Sequence, residues 1–277
     1  KRGKEMKKTV VCIMVLIVTS LLFVLAGCGT LDNSGTAQGD KKVIKLGVRA
    51  DGAERAELLR MPLEKLGYTL EVTPFEDSIL PNVALGEKSI DVNWYQHLPY
   101  LESYNKSKGT DFVMVKPYTH YARFGLYSDK YTDVKQIPDG AVIGLCNDTT
   151  NRNRGLKMLA ELGLITLNQG VENATIYDVK DNPHKFKFVE AEMTSLAQAI
   201  GDYDAIALAS AHMANAGKDP SKYLAESKDS KDYALGFVVR QEDKDAQWVQ
   251  DLIKASQTDE MKAYFAQHDK GALVPMW

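Results

Sequence analysis

The chain has 277 residues, 44% hydrophobic and 26% charged, which suits a globular protein with room for two modest domains. A formal net charge of −3 and a pI near 6.0 leave none of the basic footprint of a nucleic-acid binder, so no nucleic-acid partner is expected.

At the amino end, Lys7 and Lys8 precede VVCIMVLIVTSLLFVLAG, a basic stretch before an apolar run, the layout of a secretory signal. The run closes on Leu25-Ala26-Gly27-Cys28, small residues ahead of a cysteine, which resembles the bacterial lipobox. Residues 1–27 are therefore expected to be a lipoprotein-type signal peptide, and Cys28 the acylated, palmitate-bearing first residue. The alternative is an uncleaved anchor helix, since the run is nearly long enough to span a bilayer. Several acyl chains on one cysteine anchor stably where a single chain does not. Loss of residues 1–27 removes five basic residues and Glu5, moving the net charge from −3 to −7. Cys12 leaves as well, so with Cys28 lipidated, Cys146 has no intramolecular disulfide partner. Residues 28–42, rich in Gly, Ser, Asp and Lys without periodicity, read as a flexible tether.

Folding is expected to start at the strand VIKLGVRA (43–50). Residues 54–66 carry apolar groups at helical spacing, with Pro62 kinking or dividing the helix. TLEVTPF (69–75) alternates as a strand, and this β-α-β opening implies parallel strands joined by a right-handed crossover. A helix near 80–86, the strand SIDVNWY, a helix over 98–108 and the strand DFVMVKPY (111–118) follow. A second block has the same α/β character. It runs from AVIGL (141–145) as a buried strand, through the polar turn CNDTTN, to a helix over 153–162 that is amphipathic through Leu156, Leu159 and Leu162. KFKFVEA reads as a strand, SLAQAI as a helix, and YDAIALAS as a strand leading into a helix. GFVVR (236–240) is expected to be the last strand. A long helix over 246–267 then closes the chain, with Trp248, Leu252, Ile253 and Phe265 on its buried side. Two α/β blocks built alike predict two similar lobes.

Ligands in open α/β sheets lie beyond the carboxyl ends of the strands. The polar clusters NWYQH, THYAR and NDTTNRNR all fall at such exits, which suggests one shared cleft. In NDTTNRNR, one of Asp148, Thr149, Thr150 or Asn151 caps the next helix. A helix start after a strand is also an anion site, where Arg152 or Arg154 is either a carboxylate clamp or solvated surface. In DVNWYQHLPYL, Tyr95, His97 and Tyr100 are either core groups with satisfied polar ends or, beside Asn93 and Gln96, one wall of a small-ligand pocket. There is no GxSxG, HExxH, P-loop or CxxC pattern, and a Ser195/His212/Asp204 triad exists only as arithmetic, so no catalytic residues are expected. His97, His120 and His212 fall near strand exits, but no histidine pair has metal spacing and no carboxylates can be placed beside them. No metal and no cofactor is expected.

Taken together, DVNWYQHLPYL, LPNVAL, THYARFGLYS, CNDTTNRNRGLKML and VVRQEDKDAQWVQ resemble the NlpA/MetQ lipoproteins, the methionine-type substrate-binding proteins of bacterial ABC importers. The resemblance runs in order from Val43 to Trp277. It implies a two-lobed α/β fold of the periplasmic-binding-protein kind, each lobe a mostly parallel sheet flanked by helices, with the ligand in the cleft between them. The lobes are expected to be 43–120 plus 236–277, and 121–235. By the family pattern, Arg154 holds the ligand carboxylate and Asn151 stands beside it. Tyr95, His97 and Tyr100 line the side-chain pocket, and Asn93 is drawn in with them. Sulfur–aromatic contact would suit a methionine side chain there.

Several positions depart from that pattern. Ser78 replaces a family tyrosine, and Ala209 and Leu235 stand where asparagines receive the ligand's amino group. Val92 and Trp94 are bulkier than the family's residues, Thr149 replaces a proline, and Arg123 enters a segment that is usually apolar. A buried ammonium without partners costs several kcal/mol, and each ~1.4 kcal/mol is about tenfold in affinity. Free methionine is then expected to bind at least tens-fold more weakly than in a standard member, unless Asp204, Ser210 or His212 takes over. The leading expectation is a lipid-anchored, extracytoplasmic binding protein that delivers methionine or a related amino acid to an ABC permease. The alternatives are the same fold retuned to a dipeptide, a modified amino acid or another carboxylate, a surface adhesin lipoprotein, and an extracytoplasmic hydrolase, for which the sequence has no motif.

Overall fold

The computed structural model describes residues 41–277; the signal segment 1–27, Cys28 and nearly all of the tether lie outside the described residues. Strand β1 (Val43–Arg49) buries Ile44 and then Leu46–Val48. Two helices follow, α1 (Ala53–Glu57) and α2 (Arg60–Lys65), where the spacing predicts one. Pro62 accounts for the division. It cannot donate to the carbonyl of Leu58, and its ring crowds that carbonyl, so the first helix stops there. Strand β2 (Thr69–Phe75) pairs parallel to β1 along its whole length. Next come α3 (Leu80–Gly86), β3 (Val92–Asn93), α4 (Leu98–Lys108) and β4 (Val113–Met114). The helices match their expected spans, but both strands shrink to two residues, because the flanking aromatic and polar side chains turn to other partners.

The THYAR region forms β5 (His120–Ala122), followed by β6 (Phe124–Tyr127). Then come β7 (Val142–Cys146), α5 (Thr149–Glu161), β8 (Thr166–Leu167), β9 (Val179–Asp181), β10 (Lys187–Ala191) and α6 (Met193–Gln198). The chain continues through β11 (Ala205–Ala209), α7 (Ser210–Asn215), β12 (Tyr223–Glu226), β13 (Ala234–Leu235) and β14 (Val238–Val239). The terminal helix is two, α8 (Gln247–Ser256) and α9 (Asp259–Gln267), because Thr258 leaves helical geometry and caps the second through Met261 N–H. GFVVR is not the last strand, since β15 (Leu273–Pro275) follows.

Two five-stranded sheets organise these elements, in the orders β2-β1-β3-β14-β4 and β10-β7-β11-β6-β12. In each, one strand runs against the others: β14 between β3 and β4, and β6 between β11 and β12. Each is therefore mostly parallel, with apolar helices on its faces, as the sequence pattern implies. Trp248, Leu252, Ile253 and Phe265 pack into the core of the first sheet, while Leu156 and Leu159 pack into that of the second. Leu162 is exposed rather than packed.

A third sheet of three short strands, β13-β5-β15, lies where the chain passes between these two. Arg123 serves this junction. Its guanidinium meets Glu226 on β12 at 2.9 Å and donates from Nε to the carbonyl of Gly271. The departure at this position is a structural one.

Candidate functional site

Helix α5 begins at Thr149, four residues earlier than its apolar spacing suggests, because Asp148 accepts a hydrogen bond from Asn151 N–H at 2.9 Å. The helix lies close on the second sheet at Gly155, where an added Cβ would stand 3.0 Å from Leu145 Cδ2 and 3.3 Å from Ala207 Cβ. That approach drives the neighbouring Arg154 inward, and the residue is only 1% exposed. Its Nε donates to Asp229 at 3.3 Å and its Nη2 to Ser230 Oγ at 3.1 Å. Its carbon centre sits 3.9 Å from the ring of Tyr233 and 4.4 Å from that of Phe124. Nη1 has no hydrogen-bond partner among the described residues, which leaves one edge of the guanidinium for a ligand. Burial pulls the pKa of Arg154 down while Asp229 opposes that pull, and a guanidinium keeps its charge in either case. Arg152 turns the other way, to Glu190 at 3.1 Å. Of the two arginines at this helix start, Arg154 is the one facing the cleft.

The segment after β3 faces it. His97 caps α4: its Nδ1 accepts from Tyr100 N–H at 3.1 Å, and its Nε2 then carries the proton toward Asn151 Oδ1 at 3.2 Å. Asn151 in turn donates to the Asp148 carboxylate. Burial first, and the Arg154 charge second, lower the His97 pKa to about 4, so the ring is neutral at physiological pH. The rings of Tyr95 and Tyr100 meet edge-on, and both hydroxyls donate to the carbonyl of Ser78, at 2.7 and 2.9 Å. Burial raises both phenol pKa values above their ordinary value.

Arg154, Asn151, Tyr95, His97 and Tyr100 line one cavity of about 880 Å³, counting the space open to solvent at its mouth. Asn93 does not line it. That side chain is locked in a buried amide cluster with Asn82 and Gln96. Of the departures, Ser78, Ala209, Leu235 and Trp94 line it, and Ala209 and Leu235 offer no side-chain acceptor.

Sequence reasoning missed Arg49, Asp51, Arg55, Tyr233 and Asp269, all on the same cavity, while His120, singled out at a strand exit, does line it. The strand-exit rule already pointed at Arg49, the last residue of β1. Of the others, Arg55 lies on the short helix α1 and Asp51, Tyr233 and Asp269 on turns, with no motif to mark them. Of the replacements considered for the ammonium, Asp204 is spent on Val142 N–H and Lys130, and Ser210 Oγ accepts from Tyr127. His212 lines the cavity near Asp51. Asp204 precedes β11 and His212 lies in the helix that follows it, so the two stand at opposite ends of that strand. Among the described residues, no three His, Cys, Asp or Glu side chains gather as a metal ion requires.

The chain resembles several characterised proteins over nearly all of this architecture. It is 33% identical over 272 residues to the methionine-binding lipoprotein MetQ of Bacillus subtilis, covering 94% of this chain and 98% of that protein. It is 35% identical over 262 residues to the D-methionine-binding lipoprotein MetQ of Escherichia coli K12, covering 91% of this chain and 95% of that one. Among solved structures, a nutrient-binding protein of Burkholderia cenocepacia bound to methionine superposes with a TM-score of 0.80 at 33% identity, over 84% of this chain and 100% of that one. The substrate-binding protein of a methionine transporter from Streptococcus pneumoniae gives 0.78 at 29% identity, over 85% of this chain and 96% of that one. The family profile described as NlpA lipoprotein matches residues 44–277. With that match spanning the whole described fold, the chain belongs to the NlpA lipoprotein family.

Proposed function

We propose that this protein is the substrate-binding component of an ABC importer, a carrier and not a catalyst, held on the outer face of the cell membrane by acylated Cys28. It captures a small amino-acid-like carboxylate between a lobe of residues 43–120 plus 236–277 and a lobe of residues 121–235, then delivers it to the permease. One observation carries this reading. Arg154 is buried, braced by Asp229 and Ser230 and flanked by two rings, yet it opens one edge onto a cavity walled by Tyr95, His97 and Tyr100. A fixed, desolvated guanidinium opposite aromatic faces suits a carboxylate with a short apolar tail. The relatives named for methionine support that ligand class. Ala209 and Leu235 on the cavity wall favour a second reading, in which the ligand is a carboxylate other than a free α-amino acid.

The test is thermal unfolding of the purified full chain against a panel of amino acids, dipeptides and simple carboxylates, since a ligand of the folded state raises the midpoint with its concentration. At least one carboxylate should shift the midpoint, and Arg154→Ala should abolish the shift in a protein whose circular dichroism is unchanged. No shift with any carboxylate, or an undiminished shift in the variant, overturns the reading.

A further inference from the structure

Three arginines line the cavity, and they differ in what they already hold. Arg154 is braced as described. Arg49 is shared among Ser78, Thr194, Glu192 and Asp51. Arg55, on α1, is nine-tenths buried, and its side chain makes no hydrogen bond and no ion pair among the described residues. Its guanidinium lies 5.0 Å from the ring of Trp94 and 5.9 Å from that of Phe265, and its Nε is closed off without a partner. Gly52 makes the room: a Cβ there would stand 3.1 Å from Arg55 Nη2. A buried cation held only by ring faces is costly unless something anionic completes it.

The neighbours do not complete it. Asp269 also borders the cavity, but it lies beyond ion-pair reach of Arg55, and its Oδ2 is itself unpartnered. Burial pushes the Asp269 carboxyl up, and the Arg55 charge opposes that rise without overcoming it. His120 stands between the ring of Trp94 and that of Phe265 with its Nε2 unpartnered. The arrangement also sets Arg55 apart from Arg154. Arg154 packs on Tyr233, the chain runs on to Leu235 in β13, Leu235 pairs with His120, and His120 packs on Trp94 beneath Arg55. The surface between is apolar: Ala122, Leu235 and Leu273 all line the cavity.

We infer that Arg55 is a second anion subsite, so that the solute carried by this protein bears two anionic groups, a carboxylate at Arg154 and another acid group at Arg55, joined by a short apolar chain. This deepens the function proposed above and rests on it. It also fits Ala209 and Leu235, because a dianion without an ammonium needs no acceptor at those positions.

The experiment is isothermal calorimetry on the full chain in detergent, with methionine and butyrate as single-carboxylate probes and succinate, glutarate, adipate and 3-phosphonopropionate as dianions. At least one dianion should bind tenfold or more tightly than either single carboxylate. Arg55→Gln and Arg55→Lys should bring that ratio down, the glutamine variant to near one. If no dianion outbinds methionine in the unmodified protein, the second subsite is refuted whether or not the variants fold. An unchanged ratio in two folded variants also refutes it, and assigns Arg55 to a solvent-bridged structural pairing with Asp269. Both of those results leave the carrier reading standing; that reading falls instead if every carboxylate is silent, or if Arg154→Ala binds a carboxylate undiminished.

Discussion

His97 shows how one side chain can be specified from both sides. Its Nδ1 must accept from Tyr100 N–H and its Nε2 must donate to Asn151, so only one neutral tautomer satisfies the site. The nearby guanidinium and burial hold the ring neutral down to about pH 4. The linkage has a definite sign. In the unfolded chain an ordinary histidine protonates near pH 6.5, so this group's contribution to stability is intact above about 6.5 and is lost as pH falls from there toward 4. His120 and His212, also lowered by burial, act in the same direction. Unfolding near pH 5 should therefore be accompanied by proton uptake at these rings. Denaturant midpoints measured between pH 8 and 4 should fall steadily below 6.5, and His97→Gln should shallow the slope. A midpoint flat through that window would contradict the neutral assignment.

At the scale of elements, the site is built by caps and close approaches. Asp148 sets where α5 starts and also orients Asn151 toward His97, so Asp148→Ala should cost ~1 kcal/mol of stability and weaken ligand binding as well. Urea unfolding and calorimetry on the same variant separate the two effects, and loss of stability alone would confine Asp148 to capping. Such features mark the limit of what the sequence discloses. The Leu80–Gly86 and Leu98–Lys108 helices and the opening parallel pair were legible because local periodicity decides them. The apolar pattern of α5 was legible too, but not its first turn, where polar residues stand on a side-chain cap. The two-residue strands β3, β4, β13 and β14 carry no period at all, and their pairing is dictated by partners far away in sequence. Arg154 was found through its place after a buried strand and through family resemblance. Asn93 was drawn to the site by adjacency, but strand alternation sends its amide to Asn82 and Gln96. Arg55 was invisible, because its burial is produced by Trp94 and Phe265 from distant segments.

In the molecule as a whole, side chains tie the two large sheets across the cleft: His97 meets Asn151, Asn215 donates to Asp51, and Arg49 bridges as well. Arg49 at the end of β1 donates to Ser78 at 2.8 Å on its own side, and reaches Thr194 and Glu192 at the start of α6, both at 3.3 Å. The exposed pair Lys106–Glu172 also crosses, but exposed pairs contribute only ~0–1 kcal/mol. Arg49→Gln should raise the population of open molecules. Small-angle scattering of unliganded protein should then show a larger radius of gyration, and apparent affinity should fall in proportion to the closed fraction lost. An unchanged radius would show that the bridge follows closure without biasing it.

The three-stranded junction sheet has a further consequence. His120, Ala122, Leu235 and Leu273 belong at once to that sheet and to the cavity surface. If the lobes of the proposed carrier close on a solute, this sheet would be at once the hinge pin and the floor of the container, staying assembled while the halves swing. An arriving solute therefore meets a finished landing surface before either wall comes in, and the walls act afterwards, as a brake on escape. Selectivity in such a vessel is written into dwell time rather than into the speed of capture.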